Sequence, residues 1–328
     1  MSDHKFRWGI LGPGNIAHKF ATGLSVLPDH QLVAVGSRST DKADAFAKEY
    51  GGSAKVYGSY EALVADPDID AIYVATPHTF HREHSLLCIN AGKPVLSEKP
   101  FAVNEKQAAE VVAASRAKGV FAMEAMWSRF FPLITELKKV IADGTIGEVR
   151  MVQADFGFRA GVNPEGRLFS PALAGGGLLD VGVYTVSFSS LILGEPNQVT
   201  GIATIGETGV DEQNGLVLGH ASGAISLLSS AVRTNSLHEA TITGTDGRIR
   251  LSAPFWIPKV MTITAGGKDE VREVPYEGNG YNYQAVEVAK QVKAGKIESD
   301  IMPLDETLAI LRTMDKARAQ WGLKYPCE

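Results

Sequence analysis

The run Arg7-Trp8-Gly9-Ile10-Leu11-Gly12-Pro13-Gly14-Asn15-Ile16-Ala17 constrains the fold more than any other part of the chain. A short apolar strand passes into Gly12-Pro13-Gly14-Asn15-Ile16-Ala17, which fits G-x-G-x-x-[GA], and then into a helical pattern. That order is the dinucleotide-binding fingerprint. Gly12 permits the tight turn, and Gly14 lets the backbone approach a pyrophosphate. Ala17 is small enough for the helix to pack on the strand. The helix start, at Asn15 and Ile16, offers unpaired N–H groups and a partial positive charge to phosphates. The alternative is a plain glycine-rich turn in a structural βα unit; the strand–turn–helix context favours nucleotide binding.

The second strand narrows the cofactor. NAD-binding folds place an acidic residue about twenty positions on, at the end of that strand, to hold the ribose 2′-OH. Here Gln31-Leu32-Val33-Ala34-Val35-Gly36 ends in Ser37-Arg38-Ser39, with no carboxylate in place. A hydroxyl and a guanidinium suit a 2′-phosphate, because Arg pairs with phosphate through a fixed fork of donors. NADP is therefore expected over NAD. In the competing reading Arg38 is an ordinary solvated loop residue.

A chain of 328 residues with 45% hydrophobic content can bury a substantial core and suits two domains. A net charge of −5 supplies no basic face for nucleic acid. The sequence reads as lacking an apolar run of about twenty residues, so no membrane span is expected. Met1-Ser2-Asp3-His4-Lys5 lacks the apolar core of a signal peptide. The two cysteines, Cys88 and Cys327, are far apart and form no framework, which suits a reducing, cytoplasmic setting.

Strand and helix patterns alternate to about residue 125, which predicts a doubly wound parallel sheet over 1–125. Ligands of such sheets bind beyond the carboxyl ends of the strands. Gly36-Ser37-Arg38, Thr76-Pro77-His78 and Glu98-Lys99-Pro100 all fall at such ends. The rest, 126–328, reads as an α+β domain. It has a long strand over 147–158, a helix over 178–193, then strands separated by turns, with helices near 282–294 and 305–320. Neighbouring strands without helical crossovers predict an open antiparallel sheet.

Two segments carry chemistry. Lys99 follows a buried strand at the ligand-bearing edge; burial and a cofactor can lower its pKa, or let it hydrogen-bond a reacting oxygen. Pro100 holds that turn rigid, through a cis peptide in one reading. Lys99 as a plain surface cation is the alternative. The second segment is Gly175-Gly176-Gly177-Leu178-Leu179-Asp180-Val181-Gly182-Val183-Tyr184. Asp180 and Tyr184 are four apart and share a helix side. Asp180 could equally serve the helix dipole, and Tyr184 could be a core aromatic. A tyrosine donates protons usefully near neutrality only beside a cation, because a nearby lysine stabilises the phenolate.

With these motifs the chain resembles the glucose–fructose oxidoreductase/inositol dehydrogenase (Gfo/Idh/MocA) family of NAD(P)-dependent sugar oxidoreductases. The resemblance covers essentially the whole chain and rests on the fingerprint, Glu98-Lys99-Pro100 and the triple-glycine segment. Many members carry histidine where this chain has Tyr184. Tyr184, with Met123-Glu124-Ala125-Met126-Trp127-Ser128-Arg129-Phe130-Phe131-Pro132, resembles the branch of dimeric dihydrodiol dehydrogenase and NADP-dependent D-xylose 1-dehydrogenase. The resemblance implies that Lys99 and Tyr184 flank the reacting carbon and that Asp180 helps position substrate. It implies homodimers, or higher homo-oligomers, docked through the second-domain sheet. It implies a cleft lined by Trp127, Phe156 and Trp256, with Arg129 beside it; packing at a domain seam is the alternative for the two tryptophans. Thr76, His78, His81, Glu98, Lys99 and Arg167 join Gly12, Gly14, Asn15, Ile16, Ser37 and Arg38 as cofactor-side candidates. His78, His81 and His84 are spaced by threes, but the close helical metal pair is i, i+4 and no carboxylate completes a set. No metal is expected; His78 is read as bordering the nicotinamide and His84 as solvated.

A Ser-His-Asp hydrolase lacks its G-x-S-x-G elbow here. The expected function is an NADP-dependent oxidoreductase of a sugar or cyclic diol, either an aldose 1-dehydrogenase or a trans-dihydrodiol dehydrogenase. A keto-sugar or dicarbonyl reductase is the alternative. A non-catalytic NADP(H)-binding sensor is disfavoured because Lys99 and Tyr184 are both present.

Overall fold

The computed structural model describes residues 5–328; the opening residues on which the signal-peptide reading rests, 1–4, lie outside the described residues. The chain forms two compact units, and neither is continuous in sequence. The first comprises residues up to Ala102, Lys106–Trp127 and Glu277–Thr307; the second comprises Val103–Glu105, Ser128–Tyr276 and Leu308–Glu328. A break at 125/126 therefore lies close to one crossing point, but the return of 277–307 to the first unit has no signal in local composition.

The first unit alternates strands and helices: β1 (Phe6–Leu11), α1 (Asn15–Leu24), β2 (His30–Gly36), α2 (Thr40–Tyr50), β3 (Lys55–Tyr57), α3 (Tyr60–Val64), β4 (Ala71–Val74), α4 (His81–Asn90), β5 (Val95–Glu98), α5 (Glu105–Lys118) and β6 (Ala122–Ala125). The strands pair in parallel in the order β3-β2-β1-β4-β5-β6, a doubly wound dinucleotide-binding sheet. All of β4 and β5 is buried, as expected for strands covered on both faces. The α1 residues Ala17, Phe20, Ala21 and Leu24 recur at helical spacing and face the core. Trp8, fully buried, packs edge-on against Phe20 and donates its Nε1–H to His30 Nδ1 at 3.0 Å.

In the second unit come α6 (Pro132–Ala142), β7 (Val149–Gly157), a π-turn (Leu178–Gly182), α7 (Val183–Leu193) and β8 (Gln198–Ile205). They are followed by β9 (Asp211–Gly219), β10 (Ile225–Ala231), β11 (Ala240–Gly244), β12 (Gly247–Leu251), β13 (Val260–Ala265) and β14 (Lys268–Glu273). Helix α8 (Tyr281–Lys293) belongs to the first unit, where it packs on α1; α9 (Leu304–Trp321) closes the described fold. The sheet order is β14-β13-β12-β11-β7-β10-β9-β8.

Two expectations need correction. The second sheet is mixed rather than purely antiparallel: β7 and β10 pair in parallel, because the chain leaves β7 through α7, β8 and β9 before returning beside it. By length and composition alone, Pro171–Leu193 is apolar enough to cross a membrane, so an apolar run does exist. It is mostly buried and serves as core: every residue from Leu178 to Ser190 is buried, and α7 packs on β7 and β10.

Candidate active site

In the first unit Gly12 and Gly14 shape the turn between β1 and α1. Gly12 has φ +88°, and a Cβ there would come within 2.8 Å of Thr76 Cγ2. Its N–H donates to the Gly36 carbonyl at 3.0 Å, tying the turn to the end of β2. Gly14 precedes α1 with no side-chain cap, so the first N–H groups of the helix, at Asn15 and Ile16, have no side-chain acceptor. An uncapped helix start behind a turn with glycine at positions 12 and 14 fits a pyrophosphate. At the end of β2, Ser37 is buried, with its Oγ accepting from the Ser39 N–H at 3.1 Å, and Arg38 is exposed beside Tyr60. Burial raises the Tyr60 phenol, an effect that the Arg38 charge and hydrogen bond oppose.

The strand ends β4 and β5 are tied together by histidine. His81 is fully buried, with Nδ1 2.7 Å from the Pro100 carbonyl oxygen and Nε2 2.7 Å from that of Thr76. Burial pushes its pKa down to about 4. A neutral ring carries one N–H and donates to only one of these carbonyls at a time; in either tautomer His81 lies between the Thr76 and Pro100 segments. His84 is buried, not solvated as expected: Nδ1 meets Thr76 Oγ1 at 2.9 Å and its ring stacks on Phe80. His78 starts a short 3-10 turn, half-buried, its ring 5.7 Å from that of His81. Among the described residues no cluster of histidine, cysteine and carboxylate side chains is placed to hold a metal.

Glu98 is also committed internally. The Tyr73 hydroxyl donates to one carboxylate oxygen, and the Lys99 N–H donates to the other at 3.1 Å. It orders the backbone of Lys99, whose side chain is half-buried ahead of a cis Lys99–Pro100 bond. Trp127 is buried against Tyr281 within the first unit, their rings stacked 4.5 Å apart.

The second unit gathers the remaining candidates. Asp180 and Tyr184 are both buried, on the π-turn and the first turn of α7. Irregular turns of this kind concentrate at functional sites. Arg167 Nη1 donates to Asp180 Oδ1 at 2.7 Å, so the two candidates form an ion pair. The Tyr184 ring lies 5.5 Å from Phe156, which stacks on Trp256 at 3.4 Å and 5°. Such a flat aromatic pair suits the face of a cyclic substrate. Arg129, also buried, donates from Nε to Ser187 Oγ at 2.8 Å and from Nη2 to the Ser187 carbonyl at 2.7 Å, so it pins α7 one turn beyond Tyr184.

Two residues went unnoticed in the sequence. His238 has φ +65°; its N–H donates to Asp155 Oδ2 at 2.7 Å, and its ring stands edge-on to Phe156 and Trp256. Asp211, at the start of β9, accepts from the Leu178 N–H at 2.8 Å. It also explains the glycine run. Gly176 has φ +115°, and a Cβ there would overlap Asp211 Oδ1, while one on Gly182 would come within 2.7 Å of Ser230 Oγ. Gly176→Ala is therefore expected to lower stability by at least roughly 1–3 kcal/mol from the backbone alone. Chemical denaturation would register this, and an unchanged midpoint would mean that the turn adapts.

A model of the oxidoreductase family with an NAD-binding Rossmann fold matches residues 6–126, and the GFO/IDH/MocA C-terminal domain matches residues 134–250. The chain is 39% identical to a trans-1,2-dihydrobenzene-1,2-diol dehydrogenase from Xenopus tropicalis, covering 98% of this chain and 99% of that one. The human protein of that name is 34% identical, over 98% of both chains. Similar solved structures include an aldose-aldose oxidoreductase from Caulobacter crescentus complexed with glycerol (TM-score 0.87, 26% identity, 95% and 96% of the two chains). Another is the 3-ketoreductase KijD10 from Actinomadura kijaniata in complex with NADP and TDP-benzene (TM-score 0.87, 25% identity, 96% and 98%). A glycine turn at the carboxyl end of β1, an acid–tyrosine turn in the second unit and full-length matches lead to one assignment: the chain belongs to the GFO/IDH/MocA family and is an NAD(P)-dependent oxidoreductase acting on CH–OH groups.

Proposed function

We propose that this protein is an NADP-dependent dehydrogenase of a cyclic polyhydroxylated substrate, a sugar oxidised at its anomeric carbon or a trans-dihydrodiol. The observation that carries the reading is the buried Asp180–Tyr184 turn set against the stacked Phe156–Trp256 pair. The dihydrodiol dehydrogenases among its relatives support it. NADP, when bound, supplies the hydride chemistry. Gly12, Gly14 and the start of α1 hold its pyrophosphate, and Ser37 with Arg38 its 2′-phosphate. Tyr184 as phenolate takes the proton of the reacting hydroxyl. Lys99 stabilises that phenolate and the developing alkoxide. Asp180, oriented by Arg167, accepts from a second substrate hydroxyl. Reduction runs the same steps in reverse. The similarity to a 3-ketoreductase supports the second reading, reduction of a keto-sugar with NADPH.

The test is an absorbance screen of aldoses, trans-dihydrodiols and keto-sugars with NADP(H) and NAD(H). Turnover confined to NADPH and keto-sugars would replace the first reading with the second. No turnover with any of the three classes would remove both.

We also propose a homodimer through the second sheet, in a cytoplasmic setting. Ile202 on β8 is 81% exposed, and Val217 on β9 and Ile225 and Leu227 on β10 are exposed as well. A contiguous uncovered apolar face of this sort marks an association surface. Ile202→Asp with Leu227→Asp is expected to convert the protein to monomers at micromolar concentration in sedimentation. A wild-type protein that already sediments as a monomer would remove the proposal.

A further inference from the structure

Asp211 has no assigned role, yet its surroundings are unusual. It is fully buried, and Oδ2 accepts from the Leu178 N–H and from Asn214 Nδ2, each at 2.8 Å. Asn214 Oδ1 in turn accepts from Ser230 Oγ at 3.0 Å, fixing the amide's orientation. Oδ1 of Asp211 has no hydrogen-bond partner and lies against Gly176. Around it, the Tyr325 hydroxyl donates to the Gly175 carbonyl at 2.6 Å, and the Gly176 N–H donates to the Leu168 carbonyl at 2.9 Å. The triple glycine and the start of the π-turn are thus clamped from three directions, and only the Asp211 clamp is ionisable near neutrality.

From this clamp we propose that Asp211 is a positioning residue: by holding the start of the Leu178–Gly182 turn it sets where Asp180 and Tyr184 point. The proposal rests on the reading above that these two act on the substrate. An asparagine could accept the same Leu178 hydrogen bond without a buried charge, so a carboxyl here costs stability that packing does not return.

The charge state follows from the neighbours. Burial pushes Asp211 up to about 7, even though the Leu178 and Asn214 donors pull it down. The charged and titratable groups nearby are Arg318 on α9, paired with Asp315 and Glu328, and Tyr325 and Cys327 beyond it. Glu212 on β9 faces Arg233, and Asp180 on the turn is paired with Arg167. No ionisable group comes from β10 among its described residues, Ile225–Ala231. The folded carboxyl therefore binds its proton more tightly than a solvated one. Stability from the neutral form is fully present below the ordinary carboxylate range and is lost as pH rises to about 7. Any opening of the turn that exposes Asp211 becomes easier over the same interval.

Hydrogen exchange of peptides spanning 176–184, corrected for intrinsic rates, reads this directly. Protection in the wild type is expected to fall about tenfold or more between pH 5 and pH 7. In Asp211→Asn that fall should vanish, because the amide does not titrate. In Asn214→Leu, which removes a donor to the carboxylate, the fall should extend to higher pH. An undiminished fall in Asp211→Asn would overturn the proposal, since opening of the turn would then not involve this side chain. NADP reduction with D-xylose as probe supplies a second arm. Asp211→Asn, which keeps an acceptor for Leu178, should retain kcat within about tenfold, and Asp211→Leu should lose about a hundredfold, both with unchanged KM for NADP. Equal losses in the two variants would count against positioning through that hydrogen bond. If Asp211→Leu fails to fold or D-xylose is not turned over, the exchange comparison still decides. Failure of the functional reading shows separately, as full turnover in Tyr184→Phe, and leaves the exchange result standing.

Discussion

Replacing Tyr184 by phenylalanine is expected to lower kcat by ~10²–10⁴, the usual contribution of a positioned acid–base group. The ring would keep its place beside Phe156, so packing is preserved and only the hydroxyl is lost. Affinity for NADP should be almost unchanged, because the glycine turn belongs to the other compact unit. Lys99→Met should be at least as damaging, since it removes both the charge that favours the phenolate and a donor to the substrate oxygen. The double variant should be little worse than the worse single one, as for residues that act as a unit. Steady-state kinetics of the three variants checks all of this. Turnover near wild type in Tyr184→Phe would make the tyrosine a packed wall and leave Lys99 to move the proton.

A second large effect is expected at the end of β2. Arg38 is exposed, with no carboxylate on Ser37 or Ser39 to compete for it. Losing a charge-assisted hydrogen bond to phosphate costs ~1.5–3 kcal/mol, so Arg38→Ala should weaken NADP binding by tens-fold or more. NAD, which lacks the phosphate, should bind almost as before. Titration calorimetry with both cofactors measures the ratio, and equal wild-type affinity for NAD and NADP would sink the assignment.

The elements with strong periodicity were legible in the sequence. β1 through α5 follow the expected order, and α1 carries its apolar stripe where the pattern places it. Helix α6 was missed although Leu133, Ile134, Leu137 and Val140 recur at helical spacing behind a proline. The parallel pairing of β7 with β10 could not be read, because strand direction depends on connections far apart in sequence. The candidate site divides the same way. Gly12, Asp180 and Tyr184 announce themselves through local spacing. Glu98, His81, Arg129 and Arg167 have protein groups as partners, which no local spacing reveals. Asp211 and His238 had no motif at all; their roles arise from contacts with Leu178, 33 positions away, and Asp155, 83 positions away.

The interleaving of the two units has a consequence for biosynthesis. Asn279 Nδ2 reaches back to the Lys19 carbonyl at 2.7 Å, and a Cβ on Gly23 would come within 2.9 Å of the Asn282 N, so α8 closes tightly over α1. A nascent chain that has emerged as far as residue 127 has every strand of the nucleotide-binding sheet, yet α1 still lacks that cover. The ribosome must then add roughly 150 further residues, at about 5–20 per second, before α8 arrives. For those seconds the nucleotide-binding unit waits with one helix flank uncovered, and a chaperone or the cofactor itself would have its best chance to act.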